Sequence, residues 1–292
     1  MSVRERGGRP TTLRDDGGEP GELAVTAARG ATVAAAASDV RDELAATATC
    51  RANDAPASSD APASPDMPAS PGTPTSPGTP TTPHLLRDAE GLALVSDGLV
   101  LRGDFTRMLP RLRRDRLAHE LLVRAARVRG VETPAAVDAT AGLGEDALLL
   151  AAAGFTVTLC ERDETIAALL ADALGRAAEV PELAGLVGRM RLVPGDSCEV
   201  LASLPEPPDV VYLDPMFPER RKSAAVKKKF QLLHLVEPPC EDQETLLSAA
   251  LAARPRKVVV KRPAKGPVLA GVKPSHSLAG KAVRYDVIVP AR

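Results

Sequence analysis

From Ala135 onward, short apolar runs rich in β-branched residues alternate with longer alanine- and leucine-rich stretches. No other feature constrains the fold as tightly. Ala135–Ala139 reads as a strand that runs into a glycine turn, with a helix from about Glu145 to Ala153. Thr156–Cys160 is the next strand, followed by a long helix at Thr165–Ala178. Arg191–Val193 reads as a short strand, Ser197–Leu204 as a helix and Asp209–Leu213 as a strand. Beyond a basic segment come a helix near Asp242–Ala253, a strand at Lys257–Val260 and a last strand at Arg284–Val289. Strands alternating with helices predict an α/β fold: a mostly parallel sheet covered on both faces, with an antiparallel strand near the C-terminus.

The first part of the chain cannot share that core. Residues 1–83 hold 11 Pro and 8 Gly but no aromatic and no Ile. The near-repeat SPGTPTSPGTP fills Ser70–Pro80. Ordering a residue costs roughly 1–2 kcal/mol, and this text has too little apolar surface to offset it. Residues 1–84 are therefore expected to be a disordered Pro/Ala/Ser/Thr-rich tail, and residues 85–292 one domain. Within that domain, 104–130 reads as a helical, arginine-rich entry segment and 131–292 as the α/β core. The helical period there is carried by Leu117, Leu121, Leu122, Ala125 and Val128.

The glycine turn, Asp138-Ala-Thr-Ala-Gly142-Leu-Gly144-Glu145-Asp146-Ala147, follows a strand and opens a helix. It satisfies the dinucleotide fingerprint literally, with Ala in the third place, so an NAD-dependent oxidoreductase is one reading. Glu161 ends the next strand, where a ribose-binding acid belongs; NAD and S-adenosylmethionine both carry a ribose. Charge separates them. A pyrophosphate wants backbone donors and a positive helix terminus, and Asp138, Glu145 and Asp146 would repel it. The same carboxylates suit a sulfonium and an ammonium group, so the pattern favours S-adenosylmethionine.

Two more segments lie beyond the carboxyl ends of strands. Asp196-Ser197 follows the third strand; Asp196 either accepts a hydrogen bond from an adenine amine or simply caps the following helix. Val210-Val-Tyr-Leu-Asp214-Pro215-Met-Phe217-Pro218 runs an apolar strand into an acid, two prolines and an aromatic. Methylating an exocyclic amine is hard because its lone pair is delocalised into the base. A carboxylate at Asp214 and a rigid carbonyl at Pro215 can accept the two N–H bonds, and Phe217 can stack on the extruded base. Rate would then come mainly from in-line positioning. Adenine-N6 or cytosine-N4 methylation shares this turn chemistry and stays open at this point.

DATAGLGED (Asp138–Asp146), CER (Cys160–Arg162), VVYLDPMFPERRKSAAVKKK (Val210–Lys229) and VVVKRP (Val258–Pro263) together resemble the ribosomal RNA small-subunit methyltransferase J family. The likeness spans roughly Leu101–Val289. It implies a Rossmann-like class I methyltransferase that uses S-adenosylmethionine to methylate the N2 amine of a guanosine in 16S rRNA. Cofactor contacts implied by the resemblance fall on Glu145, Asp146, Glu161, Arg162, Asp196, Ser197 and Asp214. Asp138, Gly142 and Gly144 join them from the reading of the turn.

The charge is unevenly spread. Residues 220–292 carry 16 basic and 5 acidic side chains, although the whole chain is at −1. Six cations, Arg220, Arg221, Lys222, Lys227, Lys228 and Lys229, follow directly after the acid-Pro turn. Next to an acceptor pocket they are expected to hold RNA phosphates, with Lys261 joining them. The expected partner is 16S rRNA or the small ribosomal subunit. No metal site is expected, because the four His and four Cys lack ligand spacing. Gly266–Lys273 lacks the Gly-Lys-Ser/Thr of a phosphate loop. No stretch is long and apolar enough for a membrane span, and the protein is expected in the cytoplasm.

Overall fold

The computed structural model describes residues 82–215 and 242–291. The expected tail lies almost wholly outside them, as do Phe217 and the six cations between Arg220 and Lys229. The described chain opens with three strands, β1 (His84–Asp88), β2 (Gly91–Ser96) and β3 (Leu99–Leu101), paired antiparallel in the order β1-β2-β3. A 3-10 turn at Phe105–Met108 leads to three short helices: α1 (Leu109–Leu112), α2 (Arg114–Leu117) and α3 (Leu121–Ala126).

The main sheet then begins with β4 (Ala135–Asp138), α4 (Glu145–Ala152) and β5 (Thr156–Glu161). It continues through α5 (Glu164–Ala178), α6 (Pro181–Val187), β6 (Met190–Pro194), α7 (Ser197–Ala202) and β7 (Val210–Leu213). After residue 242 follow α8 (Gln243–Ala252), β8 (Lys257–Pro263), β9 (His276–Ala279) and β10 (Val283–Ile288). Strand order is β6-β5-β4-β7-β8-β10-β9. The pairs β6-β5, β5-β4, β4-β7 and β7-β8 are parallel; β8-β10 and β10-β9 are antiparallel. The expected mostly parallel sheet is there; β10 is the antiparallel strand near the C-terminus, and β9 pairs antiparallel to β10 at the sheet edge.

Side chains on a strand alternate between faces, and the core divides accordingly. Val210 and Tyr212 of β7, Val259 of β8 and Ala136 of β4 pack with Leu148–Ala151 of α4 on one face. Val211, Leu213, Val258, Val260 and Val137 pack with Leu246, Leu247 and Ala250 of α8 on the other. Each fully buried aliphatic side chain contributes about 1.5–3 kcal/mol. Both faces are dry, which is why these strands read as continuous apolar runs.

The three-stranded sheet rests on α5. Leu94 and Leu101 pack against Ile166 and Leu169. Asp172 of α5 accepts from the Leu92 backbone N–H at 3.1 Å and from the guanidinium of Arg87 at 2.8 Å. Arg176, one turn on, donates to Asp172 at 2.7 Å.

The single helical entry segment expected over 104–130 is instead a broken one. The backbone turns extended at Arg113 (ψ 136) and Glu120 (ψ 125), which separates α1, α2 and α3. Arg111 of α1 bridges the second break by a two-pronged bond to Glu120, both at 2.8 Å. Lys257 at the start of β8 caps the end of α3, donating to the carbonyls of Ala125 and Arg127 at 3.2 and 2.9 Å. Among the described residues no helix is long and apolar enough to cross a membrane.

Candidate active site

The chain runs from β4 outward to β5 and β6, then returns to place β7 on the other side of β4. Such a reversal opens a crevice beyond the carboxyl ends of the strands, and the loops that follow β4, β5, β6 and β7 meet there.

The turn after β4 is bonded to both neighbours. Ala139 N–H donates to the Tyr212 carbonyl of β7, and Ala141 N–H to the Cys160 carbonyl of β5, each at 3.0 Å. Thr140 N–H donates to Asp138 Oδ1 at 3.1 Å. Gly142 and Gly144 both have left-handed backbone, φ +52 and +77. Their reasons differ. A Cβ on Gly142 would meet open space, whereas one on Gly144 would lie 2.8 Å from Leu170 Cδ1 and 3.1 Å from Phe105 Cζ. Gly144 therefore lets α4 start hard against the core.

Glu161, the last residue of β5, is 3% exposed. Its carboxylate accepts the Gly142 N–H at 2.9 Å on one oxygen and the Asp163 N–H at 2.9 Å on the other. Burial pushes its carboxyl up, and the two backbone donors only partly offset this. After β6, Gly195 (φ +134) donates to the Glu161 carbonyl at 2.8 Å. Asp196 then caps α7 by accepting from the Cys198 N–H at 2.7 Å, so the cap reading of this acid is real. It also borders the cleft, together with Ser197.

Asp214 follows β7 directly. Its backbone N–H donates to Thr140 Oγ1 at 2.6 Å, and its carboxylate lies 2.8 Å from the ammonium of Lys261. The surrounding protein desolvates this carboxyl and pushes it up against the opposing pull of Lys261, although 37% of its side chain still opens to the cleft. Asp146, in the first turn of α4, accepts from the same ammonium at 2.7 Å and from the Tyr212 hydroxyl at 2.6 Å. Asp138 lies beneath, 1% exposed, and burial followed by the charges of Asp146 and Asp214 holds it well above the usual carboxylate range.

One cleft thus gathers Glu161, Arg162, Asp196, Ser197, Asp214 and Pro215 from three different loops. Asp138 and Asp146 form a carboxylate cluster that touches the cleft through Asp214. Glu145 is exposed at the start of α4, and neither it nor the two glycines lines the cleft. Lys261 departs from its expected place among the phosphate-holding cations: two carboxylates claim its ammonium. Burial opposes that charge, yet Asp146 and Asp214 outweigh it and hold the lysine protonated.

The sequence reasoning missed one wall. Asp242, Thr245 and Leu246 at the head of α8 also line the cleft. The capping pattern was there to read, since Asp242 accepts from the Thr245 N–H at 2.9 Å. It marks where a helix starts but not what that helix faces. Thr140 was missed too, because its hydroxyl acts through a residue 74 positions away.

The donor set decides what this cleft suits. Among the described residues its walls hold Glu161, Asp196, Asp214 and Asp242 against one cation, Arg162, and Cys160 lines it too. Burial first, then the neighbouring carboxylates, push the Cys160 thiol up to about 12, so it is not a nucleophile. A diphosphate would be repelled here. A nucleoside carrying a positive charge and ribose hydroxyls fits, with Glu161 and Asp196 placed to accept hydrogen bonds.

Comparison with known proteins agrees with that chemistry. Residues 83–290 match a family model described as putative SAM-dependent methyltransferase. The ribosomal RNA small subunit methyltransferase J of Thioalkalivibrio sulfidiphilus is 46% identical over 213 residues, covering 70% of this chain and 84% of the relative. The protein of the same name from Pseudomonas fluorescens is 47% identical over 169 residues, 58% of this chain and 65% of the relative. Among solved structures, a SAM-dependent methyltransferase from Neisseria gonorrhoeae superposes with a TM-score of 0.57 at 32% identity, covering 71% of this chain and 83% of that one.

Proposed function

The chain belongs to the ribosomal RNA small subunit methyltransferase J family of S-adenosylmethionine-dependent methyltransferases, and on that footing we propose that it methylates the exocyclic N2 amine of a guanosine in 16S rRNA. The observation that carries this reading is the junction of Asp214-Pro215 with the acid-lined cleft: an amine-holding turn and a nucleoside-holding wall share one space.

S-Adenosylmethionine, when bound, supplies an electrophilic methyl group on a sulfonium. In this reading Glu161 accepts hydrogen bonds from the ribose hydroxyls, and Asp196 with Ser197 meets the adenine. Asp146 adds negative charge behind Asp214 on the side of the cationic end, with Asp138 buried beneath and Glu145 exposed outside the cleft, and Arg162 borders the same wall. The glycine turn contributes through Gly142, whose N–H holds Glu161 in place. Gly144 contributes through packing alone.

Asp214 and the Pro215 carbonyl accept the two N–H bonds of the target amine, which draws its lone pair out of conjugation with the base. Proline serves at this point because it fixes the turn and removes a backbone donor. Phe217 stacks on the extruded guanine, contributing about 1–3 kcal/mol. Arg220, Arg221, Lys222, Lys227, Lys228 and Lys229 hold the flanking phosphates. No strong base is needed, since the amine proton becomes acidic once the methyl has transferred. The chemistry in this reading belongs to residues 85–292.

A competition assay with methyl-labelled cofactor tests it, offering 16S rRNA, small ribosomal subunits and duplex DNA together. Label should enter an N2-methylguanosine of the rRNA, and Asp214→Ala should abolish transfer while RNA affinity stays within about threefold. Labelling of DNA alone would sink the reading.

A further inference from the structure

Three carboxylates cluster where the acceptor amine must enter: Asp214 after β7 opens to the cleft, with Asp146 of α4 behind it and Asp138 of β4 buried beneath. Like charges this close disfavour one another's ionisation. The compensation comes from one side chain. Lys261 of β8 reaches Asp146 at 2.7 Å and Asp214 at 2.8 Å. The pairing is well supported on every side. Tyr212 donates to the same Asp146 oxygen at 2.6 Å, so that oxygen holds two donors. Among the described residues, the other charged or titratable groups acting on the cluster are Arg262 on β8, Tyr285 on β10, Arg111 on α1 and Cys160 on β5.

What Asp214 must do at the rim depends on this pairing. An amine presents N–H donors, and only an ionised carboxylate accepts them on both oxygens. A protonated Asp214 would offer an O–H donor to a donor. Desolvation by the surrounding protein favours that protonated form, Asp146 reinforces it, and Lys261 opposes both. The ammonium also fixes the carboxylate in direction, because it anchors one oxygen while the backbone N–H of the same residue is held by Thr140.

We propose that Lys261 is a positioning residue for methyl transfer: bridging Asp146 and Asp214, it keeps Asp214 a fixed anionic acceptor for the incoming amine. This rests on the reading of Asp214 as the group that takes the amine N–H. Lys261 itself touches neither RNA nor cofactor in this role, which sets it apart from the cations that follow the acid-Pro turn.

The test measures kcat and KM for RNA across mildly acidic to mildly alkaline pH, using the full chain and the variants Lys261→Met, Lys261→Arg and Asp214→Ala. Without the ammonium, Asp214 ionises only at higher pH. Lys261→Met should therefore lose about tenfold or more in kcat near neutral pH and regain most of it in alkali, the acidic limb moving up by about one pH unit or more. KM for RNA, and affinity for S-adenosylhomocysteine by calorimetry, should stay within about threefold. Lys261→Arg should return the limb to its wild-type position. Should Lys261→Met fail to fold by circular dichroism, Lys261→Gln carries the same expectation with a polar side chain of similar reach. A kcat loss that is equal at every pH, no loss at all, or a limb that arginine does not restore overturns the role of Lys261. Asp214→Ala separates the two readings. If it stays active, the acceptor reading itself fails; if it is inactive while Lys261→Met runs parallel to wild type, only the positioning role fails.

Discussion

The Gly142 backbone N–H donates to Oε2 of Glu161 at 2.9 Å, joining the turn after β4 to the acid that ends β5. Glu161→Ala removes this acceptor and that of the Asp163 N–H together. Hydrogen bonds to a charged group are worth about 1.5–3 kcal/mol each, so affinity for S-adenosylhomocysteine should fall by about 10- to 100-fold in calorimetry. The same acid has a pH signature. Its carboxyl is raised by burial, so its contribution to stability is complete below the ordinary glutamate range and is lost as pH climbs through the raised value. Glu161→Gln does not titrate, so although one backbone N–H loses its acceptor, its stability relative to wild type should improve as pH rises above the ordinary glutamate range in urea unfolding.

The two glycines of the turn should respond differently to alanine. Gly142→Ala meets only the left-handed backbone, a cost of about 1–2 kcal/mol. Gly144→Ala adds a collision with Leu170 and Phe105, for a total of about 2–4 kcal/mol. Equal losses in chemical denaturation would show that the core under α4 yields freely.

Thr140 should matter to turnover more than to binding. Thr140→Val keeps the shape but leaves the Asp214 N–H without its acceptor. A lost hydrogen bond of about 1 kcal/mol, felt at the turn that aims Asp214 and Pro215, should lower kcat by about 5- to 10-fold. Serine at the same position should restore it. A change confined to KM for the cofactor would place the hydroxyl elsewhere in the cycle.

Acid should loosen the N-terminal strands early. Burial works against Asp172, but Arg176, the Leu92 N–H and Arg87 outweigh it and hold the carboxyl below its usual range. The stabilisation is therefore present above the ordinary aspartate range and is lost as pH falls through the lowered value. Asp172→Asn should mimic that loss at neutral pH, costing about 1–3 kcal/mol. Hydrogen exchange over β1–β3 should rise in the variant while β4 and β7 stay protected.

Much of the main sheet was readable because its strands are dry on both faces. Val210–Leu213 and Val258–Val260 appear as unbroken apolar runs, and the glycine turn, Glu161 and Asp214 fall where such strands end. What escaped has equally physical causes. β9 exposes His276, Ser277 and Ala279 along the edge, so no alternation betrays it. β1 is exposed along its length and is held by its ladder to β2 and by Arg87 to Asp172, far off in sequence. The entry segment has a helical period but bends at Arg113 and Glu120, where the Arg111–Glu120 bond bridges the second bend. Lys261 looked like one more cation after an apolar strand. Its partners lie 115 and 47 positions away, and no local pattern announces a bridge between them.

β1–β3 share no ladder with the seven-stranded sheet, and β2 is bonded to α5 through Asp172. Every carboxylate of the candidate site except Asp242 sits on, or directly after, β4, β5, β6 and β7 or opens α4. The small sheet is thus joined to the strands that space the reacting groups by side-chain packing rather than by a ladder, so substitutions on its exposed face leave the strand register of the site unchanged.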